Sequence, residues 1–196
     1  MHERLRERLD FRAPDYQYPA ADDGLPQWFK AGAEGVAATL AATDPNTPVW
    51  AWGVDQHAGF WGRRLAHETA MHRADLELAT GVEPRFPLEQ AVDGIDEFLE
   101  NLARASSFAP RVAELRGRDA TLHLHATDGD GEWLISVAGD GFRWEHGHAK
   151  GDVAVRAAAA DLLLLLYGRR KPAGGEPFQV FGDEAVLRWW LERAAI

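Results

Sequence analysis

The chain has 196 residues, 46% of them apolar, a formal charge of -10 and no cysteine. That length and apolar share supply one medium domain or two small ones with real cores. The negative charge disfavours a nucleic-acid backbone or an anionic membrane surface as partner, and the lack of cysteine excludes disulfides, thiolate metal sites and a protein thiol nucleophile. The partner expected is a small molecule, with no nucleic acid and no membrane.

The amino terminus, MHERLRERLDFRAPDYQYP, alternates charges and has no signal-peptide core, and the longest apolar run, LLLLLY at 162–167, is too short to span a bilayer. A soluble, cytoplasmic protein is therefore expected. LPQWFKAGAEGVAATLAATDP spaces Leu25, Trp28, Phe29, Gly32, Val36 and Leu40 as a helix closed by Asp44-Pro45. The tryptophan-rich NTPVWAWGVDQH reads as an extended connection. A second helix is expected from Asp55 or Gln56 to Gly81, whose glycine suits a left-handed cap. A third, with Pro87 in its first turn, carries Leu88, Val92, Ile95, Phe98, Leu99 and Leu102. Short loops between such helices imply an antiparallel bundle.

Near residue 118 the period changes from helical to alternating. TLHLHAT, the turn DGDG and EWLISVA form a hairpin pattern, and GFRWEHG, DVAVRA and PFQVFG read as further strands. Two helices, AADLLLLLYGRR and DEAVLRWWLERAA, interrupt them. The fold expected is mixed: an N-terminal helical bundle over 1–108, then an α+β domain with an antiparallel sheet over 109–196.

The second helix holds the main chemical signal. With Leu65 at zero on a wheel of about 100° per residue, Trp61, Leu65, Thr69, Leu76 and Ala79 gather within roughly 40° of zero. Arg63, His67, Arg73 and Glu77 lie outside that arc, while Glu68 and His72 fall at about 300° and 340°, on the apolar side. A carboxylate and an imidazole facing inward must pair, bind buried partners or hold an ion, and their i, i+4 spacing lets both reach one divalent metal. They can equally hydrogen-bond to each other, and Arg64 can pair with Glu68. Asp75, at the edge of the arc, is either an acceptor for the His72 ring or a solvated flank residue, the latter being favoured.

Other patterns carry less. His123 and His125 face away from Leu122 and Leu124 and can line a groove, but sheet-covering histidines are the commoner case. DGDG lacks the remaining ligands of a calcium loop. His146 and His148 have strand or loop spacing and no neighbouring ligand pattern. No phosphate loop or serine-nucleophile motif appears.

FWGRRLAHETAMHRADLELATG, AVDGIDEFL, TLHLHATD, EWLI, DLLLLLYGRR and VFGDEAVLRWW, in this order, resemble the mycothiol-dependent maleylpyruvate isomerase family of actinobacteria along nearly the whole chain. The resemblance implies a DinB-like four-helix bundle that holds a divalent metal, usually zinc, followed by a sterol-carrier-like α+β domain. It implies mycothiol as cofactor. It places metal ligands at Glu68 and His72 and a catalytic arginine at Arg169, where a cation can hold a carboxylate substrate; the bland alternative for Arg169 is an interaction with the last carbonyls of its helix. The family's third ligand, a histidine on an earlier helix, has no counterpart in this chain. The bundle is thus expected to be short by about one and a half helices, through truncation or natural shortening, with His2 as a stand-in ligand. Two functions follow: a mycothiol-dependent isomerase or S-transferase acting on a small electrophile, or a non-catalytic family remnant that binds a ligand or self-associates as a homo-oligomer. Nickel, cobalt and iron also suit a Glu/His set.

Overall fold

The computed structural model describes residues 24–172 and 177–196, so His2 lies outside the described residues. The chain divides into two compact units, Met1–Ala66 and His67–Ile196. In the first, helix α1 (Leu25–Ala41) begins with a proline in its opening turn. The connection that follows is closed by bonds from Val49 N to Gln56 O and from Ala58 N to Thr47 O, and the Gln56 side chain donates to the Ala51 and Gly53 carbonyls. Those bonds hold Gln56 in the loop, so helix α2 (Ala58–Ala79) starts later than the Asp55 or Gln56 expected from sequence. Trp61 donates its indole N–H to Trp50 O at 3.0 Å, and Phe60 packs edge-on against both Trp52 and Trp61.

α2 ends as expected. Gly81 adopts φ 74°, and Val82 N bonds to Glu77 O at 2.8 Å, which satisfies a carbonyl of the last turn. Helix α3 (Leu88–Leu102) follows and buries Ile95, Phe98, Leu99 and Leu102 of the expected stripe together with Ala91, whereas Leu88 is exposed and Val92 half-buried. Two short 3-10 turns, Ala103–Ser107 and Pro110–Glu114, lead into the sheet.

The sheet is ordered β3-β2-β1-β4-β5, with β1 Ala120–Ala126, β2 Glu132–Ala138, β3 Gly141–His146, β4 Val153–Ala157 and β5 Gln179–Gly182. The expected antiparallel pairing holds for β1–β2, β2–β3 and β4–β5, while β1–β4 is parallel. Leu122, Leu124, Trp133, Ile135, Val153 and Val155 are buried on the face that takes helices α4 (Ala159–Leu166) and α5 (Glu184–Ala194). From Leu162 to Leu166 α4 is leucine on every side and fully buried, as a stretch without a polar face must be, while Ala160 and Asp161 in its first turn are half-buried. Phe98 meets Tyr167 and Trp190 at centroid distances of 5.0 and 6.4 Å. The indole N–H of Trp133 donates to Asp96 of α3 at 2.6 Å, which fixes the hairpin to that helix. In the DGDG turn, the Asp128 carboxylate accepts from Ala159 N at 2.9 Å and so caps α4.

Backbone crowding decides where β5 turns into α5. Gly182 has φ 91°, and a Cβ there would stand 2.2 Å from Asp152 O. Gly182→Ala is expected to lower stability by about 1–3 kcal/mol, the usual cost of forcing a side chain into such a conformation. Urea unfolding of the variant beside the wild-type chain measures it, and equal midpoints would contradict the crowding.

Candidate functional site

α2 is phased differently from the wheel expectation. His67, Ala70, Met71 and Ala74 are its buried residues within the second unit, whereas Leu76 is 65% exposed. On the wheel these four span about 140–240°, opposite the arc defined by Leu65. α3 comes close at Gly94, where a Cβ would stand 3.2 Å from His67 Nδ1, and His67 Nε2 bonds to Asp93 at 2.7 Å. The buried side is thus lined by two alanines, Met71 and an imidazole, while Leu76 points out. Glu68 and His72 consequently do not face inward: their side chains are 46% and 68% exposed.

They still face each other. His72 Nε2 stands 3.4 Å from Glu68 Oε2, close to the roughly 3.3 Å between two donors that sit 2.0–2.1 Å from one tetrahedral zinc. The other ring nitrogen, Nδ1, is 3.1 Å from Asp75 Oδ2. Asp75 is therefore not a solvated flank residue. It fixes the ring so that Nε2 faces Glu68, the support that metal-ligating histidines ordinarily have.

The same carboxylate takes Arg169 as a fork, Nε to Oδ1 at 2.9 Å and Nη2 to Oδ2 at 3.1 Å. Gly168, at φ 71°, ends α4 and turns the chain so that Arg169 reaches α2. Arg169 Nη1 also donates to Tyr167 O at 2.8 Å, so the side chain both holds a terminal carbonyl and reaches the Glu68–His72 pair through Asp75. Three of its five N–H groups are engaged in these bonds. Arg169 holds the Asp75 carboxyl below its ordinary range, with His72 adding to the effect against burial, and Asp75 in turn raises the guanidinium. The donor set fits a divalent ion as two ligands with a positioned support; among the described residues no third histidine or carboxylate joins them.

A second cluster lies on the sheet. His123 and His125 share the face of β1 turned away from the leucines, and Glu132 is the direct cross-strand partner of His125. His125 Nδ1 is 2.5 Å from Glu132 Oε1, His148 Nδ1 is 3.0 Å from Oε2, and His123 Nε2 is 3.6 Å from Oε2. One ligand atom from each of the four lies within 4.8 Å of the others. His123, with a side chain 6% exposed, is pushed down in pKa by burial, against the pull of Glu132. Burial raises Glu132, but the bonds from His148 and His125 outweigh it and the net shift is downward. His146 is not a member: it pairs with Trp133 on the opposite face and reaches Asp96 at 3.2 Å. Sequence spacing treated these histidines one pair at a time. The signal available was the hairpin register, which sets Glu132 opposite His125.

Asp152 anchors the loop that delivers His148. Its Oδ2 accepts from Thr121 N and Oγ1, both at 2.8 Å, and these two bonds hold its pKa below the ordinary 3.8. A carboxylate with a lowered folded pKa contributes stability above its unfolded value and loses it as pH falls through the folded value. Thr121→Val is accordingly expected to be less stable than wild type near neutral pH, with the gap closing below about pH 3.8. Thermal unfolding across that range tests it, and a pH-independent gap would contradict it.

A helical N-terminal region, a mixed sheet domain and a Glu/His pair on the second helix define a two-part class of helical and α+β protein. The chain belongs to the mycothiol maleylpyruvate isomerase family: residues 4–77 match the model of its N-terminal domain and residues 89–188 that of the MDMPI C-terminal domain. No curated protein matches the chain by sequence. Among solved structures, the sec-alkylsulfatase Pisa1 from Pseudomonas sp. is similar at 16% identity and TM-score 0.43, over 52% of this chain and 16% of that one. This chain thus covers well under two thirds of the alkylsulfatase. The UbiJ-SCP2 ubiquinone synthesis protein aligns at 17% identity and TM-score 0.41, over 56% of this chain and 93% of its own. Sterol carrier protein 2 like 2 from Aedes aegypti aligns at 17% identity and TM-score 0.34, over 54% and 98%. No described helix is long and apolar enough to cross a membrane.

Proposed function

We propose that this chain is a metal-assisted enzyme that uses mycothiol on a small anionic electrophile such as an unsaturated diacid, as an isomerase or S-transferase. The observation that carries the reading is the continuous line Glu68–His72–Asp75–Arg169, in which one carboxylate positions both an imidazole and a guanidinium. Glu68 and His72 would hold the ion, zinc first by the chemistry of one nitrogen and one oxygen donor. Such an ion lowers the pKa of a bound thiol or water. Asp75 keeps His72 in the tautomer that leaves Nε2 free to ligate. Arg169, with two N–H groups beyond its present bonds, receives a substrate carboxylate beside the pair. The same reading places the metal-holding residues in a DinB-like N-terminal domain, 1–108, with a sterol-carrier-like domain over 109–196, in a cytoplasmic protein.

Metal content and thiol-dependent turnover of the tag-free chain are measured beside Glu68→Ala, His72→Ala and Arg169→Leu. The first two are expected to lose one equivalent of metal and at least about 100-fold in turnover. Arg169→Leu is expected to raise KM for an anionic substrate by about 10–100-fold, the worth of a hydrogen bond to a charged group. Wild-type turnover in His72→Ala would sink the assignment. A wild-type chain without turnover, and without metal that His72→Ala loses, would favour the non-catalytic binding or self-associating protein instead.

A further inference from the structure

We propose that His123, His125, Glu132 and His148 form a second metal site, on the sheet domain, that takes a zinc-class divalent ion. Three separate segments supply it: β1 gives two histidines, the start of β2 gives the glutamate, and the loop after β3 gives His148. The inward-facing atoms are His123 Nε2, His125 Nδ1, His148 Nδ1 and the Glu132 carboxylate.

Two observations separate this group from a chance cluster of surface histidines. His123 is 5% exposed, and its Nε2 is buried without a hydrogen-bond partner. A buried polar atom left so is destabilising, a penalty that coordination removes. The loop carrying His148 is also held in place. Gly151 lies so close to β1 that a Cβ would meet His123 N and Thr121 O, both at 3.1 Å, and the Thr121–Asp152 bonds lock the next residue.

Three nitrogens and one oxygen suit zinc, cobalt, nickel or copper and not the oxygen-seeking magnesium or calcium. Donors on one tetrahedral ion stand about 3.3 Å apart, so the present spread of up to 4.8 Å must contract. The His148 side chain, 78% exposed, can turn inward on its fixed backbone. Its ring, with those of His123 and His125, lines a cavity of about 590 Å³ that gives an ion a way in. Binding exchanges the protons shared between Glu132 and the His125 and His148 rings for the ion, and the imidazoles ligate as neutral groups.

The test uses the tag-free full chain, stripped with a chelator and titrated with Co2+ by absorption and with Zn2+ by calorimetry. Wild type, His148→Ala, His125→Ala with Glu132→Gln, and His72→Ala are compared, each with its metal-free unfolding midpoint. Wild type and His72→Ala are expected to share one stoichiometric site with tetrahedral cobalt bands. His148→Ala, on an exposed loop, should keep its unfolding midpoint and weaken that site by at least about 10–100-fold, the range that loss of even a supporting partner costs. The double variant should abolish it. Cobalt bands and zinc affinity unchanged in His148→Ala, or binding lost altogether in His72→Ala, would overturn the proposal. Loss of turnover in His72→Ala with the sheet site intact would leave the two sites independent.

Discussion

The leucine run of helix α4, Leu162–Leu166, has no polar side, and this constraint arranges the second unit. A run of five leucines can be buried only if it is covered all round, so α3 packs on it from one direction while β1 and β4 form its floor. Gly94 lets α3 approach, since a Cβ there would stand 3.1 Å from Leu163 Cδ1. The helix must then stop abruptly, because the residues that follow are charged. Gly168 provides the left-handed turn, and Leu164 O takes bonds from the amides of both Arg169 and Arg170. The two arginines leave that turn toward carboxylates, Arg169 to Asp75 and Arg170 to Asp161 and Glu83. An apolar requirement at the core thus fixes where the guanidinium beside the Glu68–His72 pair emerges.

How much of this could be read beforehand differs by element. Most of the α3 stripe and strands β1, β2 and β4 follow from period, since large apolar residues there face the core, whereas β3 and β5 bury none of theirs and Phe181 is exposed. α2 fails the same procedure for a physical reason. Its buried residues include Ala70 and Ala74 and the polar His67, while Leu76 is exposed. A wheel weighted by side-chain size takes Leu65 and Leu76 for the core, whereas the buried side carries two alanines, Met71 and a His67 ring bonded to Asp93 of α3. The i, i+4 pairing of Glu68 and His72 survived that error because it depends on the rise of one helix and not on which way the helix faces. Asp75 did not survive it, since its role depends on a side chain 94 residues away in sequence.

The sheet cluster was legible in principle. His123 and His125 share a face by alternation, and counting back through the DGDG turn puts Glu132 beside His125. Taken as isolated pairs, the histidines showed only strand spacing. His148 was not reachable by counting, because its position depends on a loop that Gly151 presses against β1. Tertiary close approach, which leaves only a glycine as its mark in the sequence, is what periodic reading cannot convert into a contact.

The two carboxylates at these centres do different chemical work because their neighbours differ. Asp75 is shared between a permanent cation and an imidazole, so its charge is already matched and it serves to orient. Glu132 is surrounded by imidazoles alone, none of which carries an obligatory charge, so its negative charge remains available to an ion. Geometry sharpens the contrast. One straight helix presents only about two donors to a single point, at i and i+4, so any further ligand for Glu68 and His72 must come from another segment. A hairpin presents donors from two strands on one face, and with one adjoining loop it gathers four between His123 and His148. The helix pair is therefore sensitive to what packs beside it, whereas the sheet cluster is complete within one small supersecondary unit.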